Sequence, residues 1–345
     1  MERLLYHPGI YFVIALVITL AGTPLARAFA LKFKIVATPG EKRIHSTSTP
    51  ILGGVFVFIS FIIAGYFAYE NLFSLEPISP LYLLASLTLI FIIGMIDDFI
   101  KLPAAIKMTS IGICATILYL GGYSVEFTSW HFINYPLTLF WFLGITNAAN
   151  LLDNMDGLAP GCAVISGLFM AWLASMRHDP LLIGFALILA GAYFGFLKYN
   201  FPKAKVFLGD TGSVLLGFSL ATLGLAIGRH TGITMTLAPI VLLGLFIFDT
   251  FFVAFSRWAR KIYFWEGGLD HTSHRLVSLG YTKTVAVMLV WLLNIIFGLN
   301  AVIIWNSSPF YGISLTIIIL VLGIFFWKRL HKIPQITLDD KEIKP

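Results

Sequence analysis

The sequence predicts an all-α, polytopic integral membrane protein, and three observations carry that reading. Hydrophobic residues make up 58% of the chain and charged residues 12%, about half the roughly 25% charge of soluble domains. Apolar runs long enough to cross hydrocarbon, which takes roughly 17 to 25 helical residues, recur along the whole chain. Lys and Arg, finally, fall almost entirely on alternate connections between those runs.

The runs lie at 9–30, 51–69, 81–97, 108–121, 135–151, 158–176, 181–198, 212–228, 234–255, 284–305 and 309–327, which makes about eleven transmembrane helices. With the N-terminus outside, the inner connections and tail carry every Lys and Arg of the 23 except Arg3, Arg177 and Arg229. The positive-inside rule therefore places the N-terminus outside and the C-terminus in the cytoplasm. That bias accounts for the net charge of +6, so a nucleic-acid partner is not implied. Ala28-Phe29-Ala30 after the first run resembles a cleavage site, yet ten further spans follow, and the run reads as an uncleaved anchor. Cys114 and Cys162 lie inside spans, offer neither a disulfide framework nor metal-ligand spacing, and read as packing residues. No internal repeat appears, so residues 1–328 read as one transmembrane catalytic domain and 329–345 as a short charged cytoplasmic tail.

The outer loops are short and bland. The inner ones, 38–54, 97–107, 147–157, 198–213 and 257–283, hold nearly all the unusual polar residues. Asp97 and Asp98 abut a hydrocarbon run, where adjacent carboxylates are expensive unless a cation or a metal-bound phosphate shares the site. Lys101 follows four residues after Asp97, as a helical ion pair would require, and Lys107 precedes the next span. Asn147, Asn150 and Asp153 recur at spacings of three near one helical face, with Asn154 and Asp156 behind them. Amide and carboxylate oxygens in that density suit a hard cation such as Mg2+, beyond what capping two helix ends needs.

Phe207-Leu208-Gly209-Asp210-Thr211-Gly212-Ser213 runs into the eighth span. Glycines there let backbone N–H groups approach a phosphate at a helix N-terminus, although such a turn also serves as a simple cap. In the last inner loop His271, His274 and Arg275 suit a phosphate clamp better than zinc, since no third ligand motif accompanies the histidines. Asp249, about two turns inside the ninth span, is an intramembrane acid and so a functional candidate. Arg43 and His45 lead through Pro50 to Gly53-Gly54, which fits either an anion site or a plain turn into a helix.

Taken in order, Arg-x-His…Pro-x-x-Gly-Gly, Asp-Asp-x-x-x-Leu, Asn-x-x-Asn-x-x-Asp-x-x-Asp-Gly-Leu-Ala, Phe-x-Gly-Asp-x-Gly-Ser and His-x-x-His-Arg-Leu make the chain resemble the polyprenyl-phosphate N-acetylhexosamine-1-phosphate transferases from Arg43 to Leu276. The resemblance implies an enzyme of the bacterial cytoplasmic membrane, its active site on the cytoplasmic face. Such an enzyme moves a sugar-1-phosphate from a UDP-N-acetylhexosamine to undecaprenyl phosphate, releases UMP, uses Mg2+ or alternatively Mn2+, and forms a homodimer. It implies Asn150 and Asp210 as metal ligands, and Asp97, Asp98, Asp153 and Asp156 as the catalytic carboxylates. Among these, Asp97 would position or deprotonate the lipid phosphate. Phe207 would stack on uracil, and Arg43, His45, Lys107, Asn147, Asp249, His271, His274 and Arg275 would complete the substrate contacts. The run His271-Thr272-Ser273-His274 departs from the His-x-His-His of the O-antigen and teichoic-acid branch. His274-Arg275-Leu276 also departs from the His-His-His-Phe-Glu of the peptidoglycan branch. The expectation is therefore a UDP-N-acetylglucosamine or related donor ahead of the muramyl-pentapeptide donor. A secondary transporter, the rival from another class, would place its acids near the bilayer midplane and on inverted repeats. A lipid-phosphate phosphatase would use water as acceptor.

Overall fold

A computed structural model of the protein describes residues 5–37, 49–72, 79–229, 231–261 and 268–333. All eleven apolar runs are helical. In chain order the helices are α1 (Gly9–Lys32), α2 (Gly54–Asn71), α3 (Pro80–Ile100), α4 (Ala104–Leu120), α5 (His131–Leu152), α6 (Leu158–Met176) and α7 (Pro180–Asn200). They continue with α8 (Gly209–Gly228), α9 (Ile233–Leu242), α10 (Gly244–Ala259), the short α11 (Thr272–Ser278), α12 (Lys283–Trp305) and α13 (Pro309–His331). The only sheet among the described residues is a two-residue antiparallel pair, Val36 with Pro50 and Ala37 with Thr49.

Eight of these helices are long and apolar enough to cross a membrane, or nine if α9 and α10 are one bent span. This is a polytopic helical membrane protein. The two remaining apolar runs fail for different reasons. At 17 residues, α4 is about 25 Å long, short of a hydrocarbon core of roughly 30 Å. By contrast α5 is long enough, but carries His131, Asn134, Asn147 and Asn150. The expected continuous span 234–255 is broken, with a 61° bend between α9 and α10. The break falls at Leu243-Gly244, where a Cβ on Gly244 would stand 2.6 Å from the Phe297 ring. A residue with no side chain and low helix propensity thus sits where the Phe297 ring of α12 presses in.

Helix starts follow local chemistry. Pro occupies the first position of α3, α7 and α13, where a missing N–H costs nothing. Asp179 and Thr282 cap α7 and α12 by accepting from Leu182 and Val285 N–H groups. The bundle is built around α8, whose residues from Thr211 to Gly228 are all buried. A helix apolar all round belongs in the centre, and α8 packs against α3, α5 and α2 on its several sides. At the far end of α8, the Arg177 guanidinium donates to the carbonyls of Ala226, Ile227 and Arg229, satisfying the helix's last acceptors. By contrast α13 buries only Gly312 near its start and Leu330 near its end. The first turn of α8, with the ends of α3, α5 and α7 around it, holds the polar residues.

Candidate active site

The N-terminus of α8 is assembled by its neighbours. Gly209 has φ +75°, and a Cβ there would stand 2.5 Å from Asp98 Oδ2, so only glycine fits. Asp98, buried at the end of α3, accepts from Asp210 N–H at 2.8 Å, Thr211 N–H at 3.0 Å and Thr211 Oγ1 at 2.5 Å. Three donors of the first turn are thus satisfied by one carboxylate from another helix. The Pro-x-x-Gly-Gly element packs on the opposite side. Phe207 N–H donates to Pro50 O, Gly53 N–H to Phe207 O and Gly54 N–H to Leu208 O. A Cβ on Gly54 would lie 2.4 Å from Gly212 N, so the glycine pair lets two backbones meet.

Beside this turn opens a cavity of about 300 Å3. Asp98, Lys101, Asn150, Asp153, Asn154, Asp156, Phe207, Asp210, Ser213 and His274 all line it. These residues come from four sequence-distant segments, which therefore meet there. Lys101 does not pair with Asp97 as its spacing predicts. The helix ends at Ile100, Lys101 turns into the left-handed region, and its Nζ lies 2.9 Å from Asp210 Oδ2. Lys107 instead pairs with Asp97 and stands 3.6 Å from Asp210.

Asp97 faces elsewhere. With Lys107, Asn147 and Asn150 it lines a second, smaller cavity of about 60 Å3, whose remaining wall is mostly apolar: Ile93, Met108, Ile111 and Val214. Asn150 belongs to both cavities. The adjacent acids Asp97 and Asp98 thus serve different sides of one site.

Around the main cavity, burial pushes the Asp153 carboxyl up to about 8, with the nearby carboxylates of Asp210, Asp156 and Asp98 adding to the rise. A cation held there would relieve this crowding. The oxygens of Asp210, Asp153, Asn150 and Ser213 are hard donors of the kind Mg2+ takes. Among the described residues no three His, Cys, Asp or Glu groups converge on one metal position. A set of few protein oxygens suits an ion that is completed by waters and substrate phosphates rather than caged by side chains.

The chain matches the description Glycosyl transferase family 4 over residues 80–228. A protein of Bacillus subtilis (strain 168) named as a probable undecaprenyl-phosphate N-acetylglucosaminyl 1-phosphate transferase is 32% identical over 321 residues, covering 90% of this chain and 88% of the relative. The chain belongs to glycosyl transferase family 4. Within that family it is also similar to phospho-N-acetylmuramoyl-pentapeptide-transferases. One from Synechococcus sp. (strain WH7803) is 30% identical, covering 81% of this chain and 83% of its own. One from Staphylococcus epidermidis (strain ATCC 12228) is 31% identical, covering 84% and 97%. The protein is a transferase with membrane helices.

For a family 4 transferase the remaining expected site residues divide sharply. Arg43 and His45 lie outside the described residues. His274 lines the main cavity, whereas Asp249, His271 and Arg275 do not. Arg275 donates to Ile333 O and lies 5.8 Å from the Phe252 ring, at the base of the tail. Three contributors carried no signal of their own. Lys101 was masked by its helical spacing. Asn200, which accepts from Gly157 N–H and donates to Val206 O, closes the loops around the cavity. Arg257 reads as one more inner-side cation. It forms a bidentate pair with Asp270, which Arg260 joins at 2.8 Å. Burial alone would raise Asp270, but the Arg257 guanidinium outweighs it and holds the carboxyl below the usual range.

His274 gives a prediction about stability. Burial, with His271 nearby, pushes its pKa down to about 3, so the ring is neutral when folded. An unfolded histidine titrates near 6.5. The stabilisation is therefore complete above about pH 6.5 and is lost progressively as pH falls toward 3. The folding free energy should drop by about 1 kcal/mol between pH 7.5 and 5.5. Thermal unfolding of the detergent-solubilised protein across that interval measures it, and His274→Gln should flatten the slope. An equal slope in that variant would contradict the assignment.

Proposed function

We propose that the protein transfers N-acetylhexosamine-1-phosphate, most simply GlcNAc-1-phosphate, from a UDP-sugar to undecaprenyl phosphate, giving the polyprenyl-pyrophosphoryl sugar and UMP. The observation that carries this reading is the two-sided site. A polar cavity of about 300 Å3 and an apolar-walled one of about 60 Å3 meet at Asn150, with Asp210 and Lys107 between them. The first suits a nucleotide-sugar and the second the head of a lipid phosphate. The similarity to the Bacillus subtilis relative, named as a probable undecaprenyl-phosphate N-acetylglucosaminyl 1-phosphate transferase, supports the same transferred group and acceptor.

In this reading Asp210 and Asn150 hold Mg2+. When bound, the cation supplies neutralisation of the pyrophosphate and of the charge that develops on departing UMP. Phe207 offers its ring to uracil, while Asp153 and Asp156 line the nucleotide-sugar side. Lys101 and Lys107 add fixed positive charge, and Asp97 positions the acceptor phosphate and takes its proton where one is present. An acceptor oxygen bonds to the sugar-bearing phosphorus as the bond from that phosphorus to UMP's oxygen breaks. Phosphoryl transfer asks the protein mainly for alignment and charge.

The proposal extends to setting. Eleven spans, with α4 and α5 crossing as well, put the N-terminus outside and the five loops of the site in the cytoplasm. That is the arrangement favoured by the distribution of Lys and Arg. It places the enzyme in a bacterial cytoplasmic membrane as one catalytic domain, paired as a homodimer. The Synechococcus and Staphylococcus relatives favour a second reading, in which the donor carries muramyl-pentapeptide. Incubating the purified enzyme with undecaprenyl phosphate and a panel of UDP-sugars, and weighing the lipid products, decides between them. A product bearing only the peptide-linked sugar would replace the first reading with the second.

Phe207→Ala should weaken donor binding by roughly 1–2 kcal/mol, the range for an aromatic stack on a base, and leave the acceptor KM unmoved. Steady-state kinetics with each substrate varied separately checks this. A loss confined to the acceptor KM would move Phe207 to the lipid side.

A further inference from the structure

We propose that Asp249 is a positioning residue, acting through His271 and the first turn of α11 to hold the His274 ring at the wall of the donor cavity; this rests on the transferase reading above. Asp249 is 1% exposed on α10, inside the membrane-spanning part of the chain. One carboxylate oxygen lies 2.7 Å from His271 Nδ1 and the other accepts from Thr272 N–H at 2.8 Å. Neither Asp249 nor His271 lines the cavity. Their ligand contact, if direct, has no surface to act through.

His274 is differently placed. It lines the cavity and is 1% exposed, yet neither ring nitrogen has a hydrogen-bond partner. Buried polar groups left in that condition point to a partner supplied from outside the chain. The His271 and His274 ring centroids are 5.7 Å apart, so Asp249, His271 and His274 form three layers running from α10 to the cavity. An ionised carboxylate only accepts, which fixes the His271 proton on Nδ1 and with it the ring's orientation.

The helix that carries His274, with His271 at its N-cap, has seven residues, too few to hold a geometry by its own hydrogen bonds. Its position comes from anchors. Asp249 secures the first turn, and Ser273 Oγ donates to Asn154 Oδ1 at 2.7 Å. Ser273 stands where the related motif carries a histidine, so at this position the chain spends a hydroxyl on docking α11 to the α5–α6 loop. Of the side chains tied into this short helix, His274 alone is left to meet a ligand at the cavity.

A double-mutant cycle tests the layering on the purified full-length enzyme with UDP-N-acetylglucosamine and undecaprenyl phosphate. Asp249→Asn keeps the shape but presents an N–H to His271, and His271→Gln removes the ring. Each should lower turnover over donor KM by about 10-fold or more with the acceptor KM unchanged, and the double variant should lose no more than the worse single. Asp249→Glu, which restores the carboxylate, should recover most of the loss. Losses that multiply in the double variant, or a shift confined to the acceptor KM, would overturn the role. Should Asp249→Asn fail to fold, the cycle of His271→Gln with His274→Gln carries the same test, and multiplied losses there would also overturn it. A wild-type enzyme that releases UMP from no UDP-sugar would remove the transferase reading itself, a result separable from either cycle.

Discussion

Asp210→Asn should leave the bundle folded and lower turnover at least about 100-fold, on the order of 3 kcal/mol of transition-state stabilisation. The side chain stands in the first turn of α8, 2.9 Å from Lys101 and 3.6 Å from Lys107. Its removal therefore leaves Lys101 without its counter-charge, while Lys107 keeps Asp97, and it also deprives the proposed metal of a ligand. The backbone N–H of residue 210 still donates to Asp98, so the helix start should survive. Rate measured against Mg2+ concentration, beside an unfolding curve, separates the two effects. A stable variant with a near wild-type, Mg2+-dependent rate would remove Asp210 from the metal site.

Asp98→Ala should act by the opposite route. It leaves two buried N–H groups and the Thr211 hydroxyl without an acceptor, which destabilises the protein by on the order of 3 kcal/mol. Because those donors belong to Asp210 and Thr211, turnover should fall along with the unfolding midpoint. In Asp210→Asn the midpoint holds while the rate collapses. A stable but inactive Asp98→Ala would instead place Asp98 among groups that touch substrate.

These two substitutions show what the sequence could and could not convey. The apolar runs announced the helices, since hydrocarbon length and composition are one-dimensional properties. The 61° break at Leu243-Gly244 was not legible, because Gly244 is required by Phe297, 53 residues away. Asp97 and Asp98 were legible as a costly pair but not as two roles, since consecutive residues on a helix face different neighbours. Lys101 illustrates the same limit: its spacing from Asp97 predicts a helical ion pair, and the helix ends one residue too soon. Asn150, Asp153, Asp156, Phe207, Asp210 and His274 do converge on one cavity. Convergence of motifs on one end of a bundle follows from alternating spans, which the positions of Lys and Arg already imply. Arg275 does not converge, because its guanidinium is taken by the Ile333 carbonyl, a partner nearly sixty residues downstream that no local pattern specifies.

The most direct measurement of the central claim is UMP release by the purified enzyme with UDP-N-acetylglucosamine and Mg2+, followed with and without undecaprenyl phosphate. The account predicts no UMP without the lipid. With it, UMP should appear in equal amount to a polyprenyl-pyrophosphoryl N-acetylglucosamine. UMP formed at the same rate without the lipid, or inorganic phosphate released from undecaprenyl phosphate with no sugar-linked product, would contradict it.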